Sequence, residues 1–383
     1  MAGTFAAWRL GTLQARALPL ARELRAHGVR CAIVTVPWDM PAESGVKDTI
    51  AGVDLHNTTQ AAVATFPLAV YQQMRQIQAL DPRAVHVFKP KGYGGLSGQL
   101  LARNIPLLVD SDDWEGDGGW NQAGNYSRLQ RRLFQWQERR LLRTADAVTA
   151  ASHLLARRAT ALRPASPDTV SWVPNGLEPG WARRLSESRA SAVGADLGTL
   201  RIVLYSRFAE FPDDWLSRYL KTLSNTLPEG ALATITIVGD SPESHTGFDN
   251  LNIDQMGYVA LERIPEILGR AHSAIYPYTD SLISRSKNSV KLLELMAAGC
   301  AVIASNTGDV PAVTGETAVL IEGSNPAAFA TETVNLWHNP ERLRWLSSSA
   351  QHRALNQFCL PNVTRLLLAA YRNAGVLPLC SHA

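Results

Sequence analysis

Lysine, cysteine and long apolar runs are scarce in this sequence, and each shortage removes a class of function. The 383 residues include four cysteines, Cys31, Cys300, Cys359 and Cys380, none of them at C-x-x-C or metal-site spacing. A chain this long with so few is not a disulfide scaffold, and the expectation is a reducing, cytoplasmic setting. No apolar stretch approaches the roughly 20 residues that cross a bilayer. Residues 1–28 carry Arg9, Arg16 and Arg22 where a secretory leader would be continuously apolar, so no leader is expected. Lys+Arg 37 against Asp+Glu 34 leaves a net charge of +3, without the basic excess of a nucleic-acid coat.

What is present suits a folded chain: 46% hydrophobic and 19% charged residues, enough apolar surface to close cores. At ~150 residues per domain the length suggests two or three domains. The basic residues divide unevenly into 31 Arg and 6 Lys, and four of the lysines fall in two short segments, Lys89/Lys91 and Lys287/Lys291. From Ser127 to Arg163 nine arginines stand against only Glu138 and Asp146, a local charge of +7. Arg128, Arg132, Arg139 and Arg143 recur on one helical face, with Leu129, Leu133 and Trp136 on another. This helix is either a solvated face, a peripheral contact for an anionic membrane, or an attractor for an anionic acceptor.

Short apolar runs alternate with longer amphipathic ones, the pattern of an α/β protein with parallel sheets. Strands are expected at Phe5–Trp8, Cys31–Val36, Val85–Phe88, Pro106–Val109, Ala147–Ala150 and Val170–Val173. A second series is expected at Arg201–Tyr205, Thr234–Val238, Asn252–Met256, Ala274–Tyr276, Ala301–Ala304 and Ala318–Ile321. The Pro/Gly-dense Val173–Trp181 and the poorly periodic stretch up to Gly198 mark a linker. The expected division is a first domain over 1–176, a second over 177–358, and a terminal helical segment, 359–383, packing back on the first. In open α/β sheets ligands bind beyond the carboxyl ends of strands, so the loops there are the candidate sites.

The stretch Tyr276–Gly315 carries the sharpest signal. A strand ends in the polar loop Thr279–Ser289, and a helix follows with Ser289 at its N-cap and Lys291 and Glu294 in its first turns. The N–H groups of such a helix start could hold a diphosphate, and Glu294 could accept hydrogen bonds from a ribose diol. The plain alternative is a solvated helix face.

This segment resembles the donor-site signature of retaining GT-B glycosyltransferases, family 4-like. Strand and loop lead there into a helix bearing Glu, small residues and Gly, then a buried strand, here K-L-L-E-L-M-A-A-G-C-A-V-I-A-S. Val173–Gly176 (VPNG) resembles the family's interdomain turn. Arg201–Phe208 (RIVLYSRF) resembles the first strand of its second domain, with Arg207 in the place of the phosphate-binding Arg. Ile235–Glu243 (ITIVGDSPE), Met256–Val259 (MGYV) and Ala145–Ser152 (ADAVTAAS) resemble further strand ends of the same order. The resemblance implies the GT-B fold, two Rossmann-like αβα domains facing across a cleft. It implies transfer of a sugar from a nucleotide-sugar donor to a hydroxyl or other nucleophile of an acceptor, with retention and without metal or other cofactor. The implied donor-binding residues are Gly11, Arg207, Gly257, Tyr258, Ser286, Asn288, Ser289, Val290, Lys291 and Glu294. Glu294 would hold the ribose, and Arg207 and Lys291 the diphosphate, the latter two as catalytic charges. The acceptor is open between a glycan, a lipid-linked sugar and a small natural product.

The departures from the family pattern are informative. The first Glu of its E-x7-E falls on Ser286, whereas Ser289, Lys291 and Glu294 match an S-x-K-x-x-E variant. A phosphate-binding Lys falls on Asp213, leaving Lys291, Lys287 or Arg285 to offset charge on the departing phosphate. In the first domain a common His is replaced by Asp112, in LLVDSDDWEGDGGW. Asp110, Asp112, Asp113 and Glu115, with Trp114 among them, follow that strand. These carboxylates either bind acceptor hydroxyls, chelate a metal through Asp-x-Asp, or cap the next loop. Asp112 is the candidate to orient the reacting hydroxyl. HVFKPKGYGGLSGQL is expected to form a glycine-rich loop after the fourth strand, in which Lys89 and Lys91 either face the acceptor or a phosphate or are solvated in an ordinary βα turn. Two other readings stay open: a non-catalytic nucleotide-sugar-binding homologue, and a sugar-nucleotide epimerase or phosphorylase on the same fold.

Overall fold

The computed structural model of the chain describes residues 1–3, 13–59, 65–192, 199–208, 211–212, 214–241 and 245–377. They group into two units. The first comprises Met1–Asn175, Ser286–Asn288 and Leu360–Ala383, and the second Gly176–Arg285 and Ser289–Cys359.

In the first unit, β1 (Ala2–Gly3), β2 (Ala32–Thr35), β3 (Lys47–Ile50), β4 (Val53–Asn57), β5 (Val85–Phe88), β6 (Leu107–Ser111), β7 (Ala147–Ala150) and β8 (Val170–Trp172) form one sheet. Its order is β3-β4-β2-β1-β5-β6-β7-β8, and every pair is parallel except β3 with β4. Helices α1 (Leu18–Ala26), α2 (Phe66–Ala79), α3 (Gly92–Leu101), α4 (Trp120–Ala123), α5 (Arg128–Thr144) and α6 (His153–Leu162) connect the strands. β5, β6 and β7 are buried at every residue, because a parallel sheet between helices has no wet face. That is why they read as near-continuous apolar runs. The β3–β4 hairpin is unanticipated: KDTI is mostly exposed and polar, as suits an edge strand, and Ala51–Gly52 turn with positive φ. The expected strand Phe5–Trp8 lies outside the described residues.

The glycine-rich segment after β5 requires a correction. It is not an open loop; α3 begins at Gly92, and its glycines serve packing. A Cβ on Gly98 would collide with the Val87 side chain of β5.

In the second unit, β9 (Leu200–Tyr205), β10 (Ala233–Val238), β11 (Leu251–Gly257), β12 (Ser273–Tyr276), β13 (Ala301–Ser305) and β14 (Ala318–Ile321) form an all-parallel sheet in the order β11-β10-β9-β12-β13-β14. Its helices are α7 (Pro179–Ala192), α8 (Trp215–Thr226), α9 (Ile264–Gly269), α10 (Leu282–Ser286), α11 (Val290–Ala297), α12 (Val310–Thr314), α13 (Pro326–Trp337) and α14 (Pro340–Gln357). Trp215 stacks on Tyr219 at 5.1 Å and meets Phe329 edge-on at 5.3 Å in the core. α7 occupies the stretch expected to be a linker. Its sequence PGWARRLSESRASA carries no broad apolar stripe because small residues make its contact: Gly269 of α9 lies against the backbone of Ser188.

The last helix, α15 (Leu360–Asn373), belongs to the first unit. Val363, Leu367, Leu368 and Tyr371 join Leu20 and Leu24 of α1, Ile33 of β2 and Leu55 of β4 in one core. Among the described residues no helix is long and apolar enough to cross a membrane. Strand order reverses between β1 and β5 in the first unit and between β9 and β12 in the second. Connections leave on opposite faces at such points, which opens a crevice at the carboxyl ends of those strands.

Candidate active site

In the first unit the carboxyl ends of β5 and β6 carry a closed network of charge. Arg16 leaves the π-helical turn Leu13–Ala17 and grips Asp110 with two bonds, Nε to Oδ2 at 2.7 Å and Nη2 to Oδ1 at 2.8 Å. The Thr149 hydroxyl donates to the same Oδ1 at 2.5 Å, and Arg16 also reaches the Val173 carbonyl at 2.8 Å and Asn175 Oδ1 at 3.0 Å. Burial would raise the Asp110 carboxyl, but the charge and bonds of Arg16 outweigh it and hold it below the usual range. Asp110 is therefore not an acceptor-binding group: it is wholly buried and its oxygens are spent on Arg16 and Thr149. What it does is anchor the segment that leads to Asn175.

Beside it, Lys89 sits in the left-handed backbone region at φ 61. Such a conformation persists only where the surroundings hold it. Its ammonium meets Asp113 Oδ2 at 2.5 Å, Glu115 Oε1 at 3.2 Å and Asp112 Oδ2 at 3.5 Å. Lys91 pairs with the other oxygen of Glu115. Both lysines are buried, which corrects the expectation that they face an acceptor or phosphate: they neutralise the chain's own acids. Of the Asp-x-Asp pair, Asp110 is already held by Arg16 and Asp112 lies 3.5 Å from the Lys89 ammonium. Burial opposes the charge on Lys89, but the three carboxylates outweigh it and raise its pKa.

Asp112 and Asp113 keep some solvent access, with side chains about 10% and 23% exposed. Burial first, then the neighbouring Asp113 and Asp110, push the Asp112 carboxyl up to about 6 against the opposing pull of Lys89. Burial likewise works against Asp113, but its contact with Lys89 prevails and lowers it. Trp114 is half-buried, donates from Nε1 to the Asp117 carbonyl at 3.0 Å, and carries the Arg158 guanidinium 3.9 Å above its ring centre.

In the second unit the start of α11 stands at the reversal point between β9 and β12. Ser289 is its N-cap residue and Val290 its first. Glu294, one turn in, is buried. It accepts a hydrogen bond from Trp181 Nε1 at 2.8 Å and another from the Tyr205 hydroxyl. Burial raises its pKa in spite of Trp181, Lys291 and Tyr205, all of which favour the charged form. The Lys291 ammonium lies 3.4 Å from the centre of the Tyr205 ring. One carboxylate, one ammonium and two aromatic donors therefore meet at one strand end. Trp181 and Tyr205 are the residues that sequence reasoning missed. Trp181 lay in the presumed linker, and it is 113 positions from its partner.

The other expected donor residues are dispersed around this centre. Arg207 is exposed immediately beyond β9. Ser206, before it, lies so close to Gly239 that a Cβ there would collide with the Ser206 carbonyl; Gly239 in turn donates to the Gly257 carbonyl at 2.8 Å. The loops after β9, β10 and β11 are thus stitched together, with Tyr258 largely exposed at 76%. Ser286 and Asn288 are buried and group with the first unit, where Asn288 Oδ1 accepts from the Asn175 N–H at 2.8 Å. Of the replacement cations considered for Asp213, Arg285 is committed to Asp280, Lys287 lies 5.7 Å from the Trp120 ring centre, and Lys291 remains beside Glu294. Gly11 and Asp213 lie outside the described residues.

Comparison with known proteins bears on the family and the fold. Residues 11–176 match the Glycosyl transferase 4-like domain, and residues 199–339 match Glycosyl transferases group 1. The chain is 25% identical over 315 residues to alpha-maltose-1-phosphate synthase of Mycolicibacterium smegmatis, covering 74% of this chain and 77% of that protein. Sucrose-phosphate synthase of Thermosynechococcus elongatus superposes with a TM-score of 0.70 at 16% identity, over 97% of this chain and 98% of the other. Anabaena HepE, solved in complex with UDP and glucose, superposes with a TM-score of 0.66 at 13% identity, over 97% and 98%. The two doubly wound units have the GT-B architecture of these structures.

Proposed function

Because the chain belongs to the glycosyltransferases built from a 4-like and a group 1 domain, we propose that it transfers a sugar from a nucleotide-sugar donor to an acceptor hydroxyl with retention and without a metal. The observation that carries the donor half is the Glu294 carboxylate, aimed by Trp181 and Tyr205 at the strand end where Lys291 also stands. Glu294 accepts hydrogen bonds from the ribose diol. Lys291, Arg207 and the N–H groups opening α11 offset charge on the diphosphate. The proposed donor is UDP-glucose, since HepE of the same architecture was solved with UDP and glucose.

The acceptor half rests on Asp112, the partly accessible carboxylate whose raised pKa places it near neutrality. Ionised, it accepts a hydrogen bond from the attacking hydroxyl and orients it. In the proposed step the bond from the anomeric carbon to the phosphate oxygen breaks. The bond to the acceptor oxygen forms on the same face, and the acceptor proton passes to the departing phosphate oxygen. No protein nucleophile is required. The place of Lys89 among the acids supports a reaction that does not use a metal there.

The test is transfer from UDP-glucose, followed by UDP-, GDP-, ADP- and TDP-sugars, in EDTA, with the product anomer read by NMR. An α-linked product from an α-donor is expected. A β-linked product would refute retention, and activity lost in EDTA would refute metal independence. Nucleotide binding without transfer or hydrolysis across a broad acceptor panel would favour the binding-protein alternative.

A further inference from the structure

α5 concentrates arginine as no other element does: Arg128, Arg131, Arg132, Arg139, Arg140 and Arg143 against one acid, Glu138. Glu138 is buried and holds Arg158 through two bonds of 2.6 Å, so it neutralises none of the helix's own cations. Elsewhere arginine is commonly matched, as in Arg16–Asp110, Arg218–Asp214, Arg270–Glu266 and Arg285–Asp280. Among the described residues, no acid pairs with Arg128, Arg132, Arg139, Arg143 or Arg157, and all five are exposed.

At 100° per residue, Arg128, Arg139, Arg132, Arg143 and Arg140 fall on one stripe, with Trp136 and Leu129 inside it. This corrects the expectation of separate faces: Leu129 is 78% exposed and Trp136 49% exposed beside the arginines. Shallow, open depressions lie between these side chains. One depression of about 420 Å³ is walled by Arg132, Trp136, Arg139, Arg140 and Arg143. A second, of about 480 Å³, runs from Trp114 past Arg139 and Arg143 to Arg157 on α6. Arg139 and Arg143 line both as a shared wall, and the adjoining pair makes up a basic trough along the helix. Its far end is Trp114, two positions beyond Asp112.

We propose that this trough holds an anionic glycan segment of the acceptor, one whose sugars bear carboxylate, phosphate or sulfate. This rests on the glycosyltransferase reading and on placing the acceptor at the β6 loop. Guanidinium forks match such groups bidentately, and indole rings present flat apolar surface to a sugar. Continuity with the proposed acceptor loop favours a chain over a bilayer, since the depression that starts at Trp114 leads to Arg157, Arg139 and Arg143. An extended oligosaccharide seated at that loop would pass along these arginines, whereas a headgroup layer needs no such link to Asp112.

The test measures binding of fluorescein-labelled hyaluronan hexasaccharide, dextran sulfate of similar length and neutral dextran to the full chain, by anisotropy. The two anionic oligosaccharides should bind, weaken steeply with added salt, and lose about tenfold or more in affinity in Arg139→Gln/Arg143→Gln. The neutral chain should not bind. Arg218→Gln/Arg270→Gln, which removes matched surface arginines, should behave as wild type. UDP calorimetry on the same preparations separates the two claims. Normal UDP binding with no effect of the trough variant on the oligosaccharides overturns this inference alone, and absent UDP binding overturns the donor-site reading. Salt-sensitive pelleting with phosphatidylglycerol vesicles that the trough variant abolishes, with oligosaccharide binding unchanged, would assign the trough to a membrane surface instead. Equal, trough-dependent affinity for a single-stranded oligonucleotide would also overturn it.

Discussion

At the residue scale, Glu294 is a buried carboxylate and Asp112 a partly accessible one, and their partners set different tasks. Glu294 is aimed by neutral donors. Replacing Trp181 by Phe keeps an aromatic body and removes the N–H, so UDP affinity should fall about tenfold or more, the scale of a hydrogen bond to a charged group. Calorimetry measures it, with a control: if Glu294 holds the ribose, the preference for UDP over 2′-deoxy-UDP should shrink in Trp181→Phe, whereas a merely structural role for Trp181 would leave that ratio intact. Asp112 titrates at about 6. A carboxylate that must accept a hydrogen bond is disabled by protonation, so the transfer rate should fall as pH drops through that value. Asp112→Asn should abolish this acidic limb, depress turnover, and leave UDP affinity unchanged. Full activity in the variant would remove Asp112 from the step.

At the element scale, α15 explains a buried histidine. His86 of β5 lies between the Tyr371 hydroxyl on α15 and the Thr149 hydroxyl on β7, each at 3.0 Å. Burial, helped by Arg16, lowers its pKa to about 4 in spite of Asp110. The unfolded chain, with an ordinary His near 6.5, then binds more protons than the folded one between pH 4 and 6.5. Stability from this group is therefore complete above pH 6.5 and declines as pH falls toward 4. The full effect is on the order of 3 kcal/mol for a shift of this size. Asp112, raised to about 6, contributes with the opposite sign over part of this window. The measurement is accordingly the pH dependence of the difference in urea stability between wild type and His86→Gln, and a pH-independent difference would contradict the assignment. Leu367, fully buried on the same helix, should cost about 2–5 kcal/mol on replacement by Ala.

At the scale of the whole molecule, each unit closes its own core, the first with α15 included and the second around Trp215 and Phe329. Calorimetry should resolve two transitions. Leu367→Ala should lower one, and saturating UDP should raise the other by mass action. A shift of the same transition by both would refute the division of labour. Much of this architecture was legible in the residues alone. Buried parallel strands are apolar on both faces, so Val85–Phe88, Pro106–Val109 and Ala301–Ala304 declared themselves, and the helix bearing Lys291 and Glu294 carried its own signature. The edge hairpin at 47–57 and helix α7 did not, because exposure in one and small-residue packing in the other erase the apolar period. What the sequence determined by itself is the order of αβ elements and the strand ends at which chemistry could stand, since both follow from local periodicity. Only the tertiary structure decided which charges are used up. Lys89 is enclosed by acids 23 to 26 positions away, Arg16 reaches Asp110 across 94, and Trp181 aims Glu294 across 113. Pairing at such separations depends on where strands are laid in the sheet, which no local spacing encodes.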